Sequence, residues 1–185
     1  MGKIGSAEKV KLFCGILSTD ENIDKKALSE LEKKLGGIDA KSEVMNFKFS
    51  DYYNLEMGSN IKRYWISFKN LIFADEIADI KIFTNDIEDS FAKDGKRLIN
   101  IDPGYLTQAN VILATTKNFS HRIYLQKGIY AEVTTIYNKK DGFIKLPWSY
   151  PDYMSAPAKD FLLKVRKNLL GQLKLSSRKR YKNEN

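Results

Sequence analysis

Between Asp102 and Glu132 the chain gathers residues suited to chemistry, among them its one histidine: Asp102, Lys117, His121, Arg122 and Glu132. Arg122 can grip a phosphate or carboxylate through two parallel donors, and Lys117 adds a point charge. An imidazole beside a bound anion is suited to general acid or base work near neutral pH, which makes His121 the expected catalytic residue. Asp102 and Glu132 are the expected metal ligands, since Mg²⁺ or Mn²⁺ accepts carboxylates and a few waters. Alternatively they orient His121. Plainer readings stand beside these: Asp102 before Pro103-Gly104 reads as a turn residue, His121 as a loop cap and Arg122 as half of a salt bridge.

Other chemistries are excluded. Neither GxxxxGK[ST] nor GxGxxG occurs, so a conventional phosphate loop is absent. One histidine and one cysteine cannot supply the usual zinc shell. Cys14 has no partner for an internal disulfide and lies in the apolar run KLFCGIL, where a buried thiol is expected.

The elements that must position these residues follow from periodicity. Residues 9–17 read as a buried strand. Ile23, Ala27, Leu28, Leu31 and Leu35 share one face of a helix over 22–35, stopped by Gly36-Gly37. Alternation predicts strands at 43–49 and 62–68, and a longer stripe predicts a helix over 75–93. Strands follow near 97–102, 109–116, 122–126, 129–137 and 143–146, with Gly128 in a hairpin turn. The prolines of 147–157 make that stretch irregular, and its Trp148, Tyr150 and Tyr153 read either as an aromatic wall for a base or sugar or as a packed Ω-like loop. A last helix covers 157–174. The fold class is therefore α+β: a mainly antiparallel sheet with about three helices packed on it, in a single domain over 9–174. Residues 1–8 are expected to be flexible and 175–185 a disordered basic tail.

At 185 residues and 43% hydrophobic, the chain has enough apolar content for a core. Its net charge of +8 is a C-terminal property: eight basic residues from Lys164 onward face one acid, Glu184, and the rest is nearly neutral. That distribution weakens a nucleic-acid reading but leaves the tail as a candidate for salt-sensitive binding. No apolar run approaches the ~20 residues of a membrane span, and no secretory signal is visible. A cytoplasmic setting is expected.

The segments VKLFCGIL, FSDYYNLEMG, NIDPGYL, ATTKNFSHRIYL, GIYAEVT and LPWSYPDY occur in this order. Together they resemble the domain of unknown function 4416 family, found mainly in bacteria, from about Val10 to Leu173. The resemblance implies a stand-alone protein of about this length. Some members carry a GTP-binding label, whose usual Walker pattern is missing here. No catalytic residues carry over, but the motifs fall on Asp51, Tyr53, Glu56, Asp102, Tyr105, Lys117, His121, Arg122, Glu132 and Asp152. The resulting expectation is a polar cleft for a small anionic ligand, a nucleotide or phosphorylated metabolite. Lys117, Arg122, Tyr105, Asp152, Tyr53 and Glu56 would contact it. The alternatives are a nucleic-acid-binding module using the tail, or a non-catalytic interaction protein.

Overall fold

A computed structural model describes residues 2, 5, 7–49, 57–58 and 60–183, with side chains in the last helix only to residue 177. Asp51, Tyr53 and Glu56 lie outside the described residues.

The centre of the molecule is β1 (Val10–Ser18), buried along its whole length. Alternation splits its side chains between two cores. Leu12, Cys14 and Ile16 enter one core, and Phe13 enters the other. The first core lies under α1 (Glu21–Leu35) and α2 (Ile77–Ser90), and the second lies under α3 (Ala156–Asn183). The domain is thus an α+β fold in three layers, with three helices among the described residues.

The middle layer is one antiparallel sheet. Its other strands are β2 (Ile38–Lys41), β3 (Met45–Asn46), β4 (Lys62–Ile72), β5 (Ile99–Leu106), β6 (Asn110–Thr115), β7 (Ile123–Gln126), β8 (Ile129–Asn138) and β9 (Gly142–Lys145). The order is β2-β4-β1-β5-β6-β8-β7, with β3 on β4 and β9 on β8.

Local chemistry explains the element boundaries. Asp20 caps α1 by accepting from the backbone N–H groups of Asn22 and Ile23, and Gly36 ends it at φ +99°. Lys127 and Gly128 both take positive φ, which the tight β7–β8 turn requires. Of the strand expected at 43–49, only Met45–Asn46 pairs as a strand, on the same edge of β4 as β2. Pro103-Gly104 is not a turn: β5 runs through it and pairs with β1 from Ile99 to Leu106. The final helix continues past 174 to Asn183. A buried ion pair docks it on the sheet: Lys11, fully buried in β1, places Nζ 2.6 Å from Asp39 Oδ2 and 2.8 Å from Gln172 Oε1 of α3. No helix among the described residues is long and apolar enough to cross a membrane.

Candidate functional site at a fork in the sheet

The β5 and β6 strands pair only through Gly104, Tyr105 and Leu106. Upstream the two separate, and a cleft of about 540 Å³ opens in the fork. The sequence NIDPGYL builds this fork residue by residue. Gly104 permits the closing contact, since a Cβ there would stand 2.4 Å from the Ile112 carbonyl oxygen. Pro103 lacks a donor at the point where β6 departs, so no N–H is left without a strand to meet. At Ile101, side chains from α2 replace the missing strand. Glu88 Oε1 accepts the Ile101 N–H at 2.7 Å, and Lys81 Nζ donates to the Ile101 carbonyl at 3.0 Å. Asn100 and Asp102 lie on the face turned into the cleft.

The floor is a chain of paired charges. Arg63 crosses over Gly15 of β1, where a Cβ would lie 2.9 Å from its Nη2. Its guanidinium packs on the Trp65 ring, with Nε 2.9 Å from Asp152 Oδ2 and Nη1 4.0 Å from Asp102 Oδ2. Lys81 Nζ lies 3.5 Å from Asp102 Oδ1 and 3.8 Å from Glu88 Oε1. Arg97 Nη1 reaches Glu88 Oε2 at 3.3 Å and Asn100 Oδ1 at 3.0 Å. Burial pushes the Glu88 carboxyl above its ordinary value, against the pull of Lys81 and Arg97. Tyr153 has a fully buried ring, and its hydroxyl has no hydrogen-bond partner among the described residues.

The far wall is held by Arg122. Its Nε donates to Glu132 Oε2 (2.7 Å), Nη1 to the Lys117 carbonyl (3.0 Å) and Nη2 to the Tyr150 hydroxyl (2.9 Å). One side chain thereby joins the loop at 116–122, strand β8 and the segment before α3. Burial, then the Glu132 charge, pushes Tyr150 up to about 12, so its hydroxyl stays protonated at neutral pH. Behind Arg122, with the proton on Nε2, His121 donates to the same Glu132 oxygen at 3.0 Å. The imidazole stacks on Trp148 at 5.0 Å and meets the edge of Phe119 at 5.4 Å.

The expected site residues therefore divide. Asp102, Lys117, Arg122, Glu132 and Asp152 all line the cleft, although they come from four separate segments. His121 does not line it. It meets Glu132 from the side away from the cleft. Tyr105 is misplaced by the strand period: three residues after Asp102, it points to the opposite face and packs in the core under α1 and α2. The expected metal ligands Asp102 and Glu132 face basic side chains. Among the described residues no three His, Cys, Asp or Glu side chains converge.

Arg63, Lys81, Glu88, Arg97 and Asn100 escaped the sequence reading. One signal was available: a lone glycine inside an apolar strand marks a close approach, and Gly15 marks Arg63.

Comparison with curated proteins and with solved structures finds no match for the chain. The sequence model of one family, described as Domain of unknown function (DUF4416), matches residues 8–169. That span takes in every strand, the first two helices and all of the cleft-lining residues, and the chain belongs to this family.

Proposed function

We propose that the chain binds a small organic anion, a nucleotide or phosphorylated metabolite, in the fork between β5 and β6. The carrying observation is that Arg63, Lys81, Arg97, Lys117 and Arg122 converge on one cleft, the first three and Arg122 held there by buried carboxylates. Basic groups fixed in a partly dehydrated cleft lose little freedom on meeting an anion and interact with it more strongly than in water. The cleft volume suits a ligand of metabolite size, and Leu17, Phe47 and Leu113 supply apolar wall.

Thermal unfolding at low salt tests this. A phosphorylated ligand at ~100 times its dissociation constant should stabilise the fold by ~2.7 kcal/mol. The stabilisation should shrink in Arg97→Ala and Lys117→Ala, which alter the more exposed part of the basic lining. A panel of mono- and diphosphates that leaves the melting temperature unchanged would sink the proposal.

A further inference from the structure

The four carboxylates that line the cleft among the described residues are not equivalent. The side chains of Glu132, Glu88 and Asp152 are 1%, 5% and 7% exposed, and each is spent on a neighbouring cation. Asp102 is 31% exposed. Its one hydrogen bond among the described residues comes from Asn100 Nδ2 to Oδ2, at 2.8 Å. Oδ1 accepts none there, and Lys81 and Arg63 stand off at 3.5 and 4.0 Å. A carboxylate has room for about four hydrogen bonds. An open carboxylate at the bottom of a cationic cleft repels a bare anion and attracts a donor.

We infer that Asp102 receives an O–H or N⁺–H donor of the ligand, so that the ligand is an organic anion carrying a hydroxyl or ammonium group close to its negative charge. This rests on the anion-binding reading above. In this arrangement the cations fix the anionic group, and Asp102 discriminates among anions. A site built to accept a donor rejects an analogue that lacks one, because the carboxylate then faces the anion with no donor between them.

Calorimetric titration of the full chain with inorganic phosphate, ribose 5-phosphate and O-phosphoserine tests the assignment. Ribose 5-phosphate or O-phosphoserine should bind tighter than inorganic phosphate by about tenfold or more, the scale of a charged hydrogen bond. A margin for the first identifies a hydroxyl donor, and a margin for the second an ammonium. Asp102→Asn should abolish the margin, and Asp102→Ser carries the same comparison if that variant fails to fold. Equal affinity for all three ligands, or a margin that survives both substitutions, overturns the inference while leaving anion binding in place. No binding of any of the three overturns both.

Discussion

Arg122 and Glu132 illustrate how residues of the cleft carry structure and recognition at once. Glu132 is buried under Arg122 and His121. Arg122→Ala leaves that carboxylate without its closest cation and releases Tyr150 and the Lys117 carbonyl. We expect a loss of about 3–5 kcal/mol in urea unfolding, the usual penalty for orphaning a buried charge. Lys117→Ala, at an exposed position, should change stability by no more than about 0.5 kcal/mol while still weakening ligand binding. Equal stability losses in the two variants would contradict this division. The polar residues from Asp102 to Glu132 were legible because they punctuate strand-like apolar runs, and the cleft does collect most of them. Their roles were less legible. Whether His121 faces a ligand or a carboxylate depends on the stacking with Trp148, a residue far along the chain whose placement no local pattern encodes.

Strands and helices show a parallel contrast. The β7–β8 hairpin, α1 and the long apolar helices follow from turn chemistry and periodicity. By contrast, β2 is short and half polar, and only its partner β4 makes it a strand. Pro103-Gly104 reads locally as a turn, yet the pair serves a strand losing its neighbour. Gly104→Ala should prise β5 from β6, because the new methyl meets the Ile112 carbonyl, Phe13 and Leu113. A loss of about 1–3 kcal/mol or more is expected from chemical denaturation. Helix α2 adds a pH signature through Glu88. Its folded-state pKa is raised, so between its ordinary value and its raised one the folded state binds more protons than the unfolded state. Stability therefore falls as pH rises through that window. Urea midpoints measured from mildly acidic to neutral pH should show this decline in the wild type, and it should be weaker in Glu88→Gln. Identical slopes would show that the Glu88 carboxyl is not the source.

At the scale of the whole molecule, charge and cleft are separable. The basic excess belongs to the C-terminal end, whereas the cleft balances its cations with buried acids. Removing residues 176–185 should lower retention on an anionic column in a salt-dependent way and leave affinity for phosphorylated ligands unchanged. Loss of both together would tie the tail to the cleft.

The fork also has a mechanical consequence. One leaf of the sheet runs from β2 to β5, the other from β6 to β9, and only Gly104, Tyr105 and Leu106 stitch them strand to strand. Asp102 belongs to the first leaf, Thr115 and Glu132 to the second, and all three border the cleft. We expect such a seam to let the two leaves open like a book along its spine. A ligand lodged in the gutter clamps both pages. Amide hydrogen exchange should then slow on β5 and β8 together when the cleft is filled, so that occupancy is felt as stiffness across the sheet.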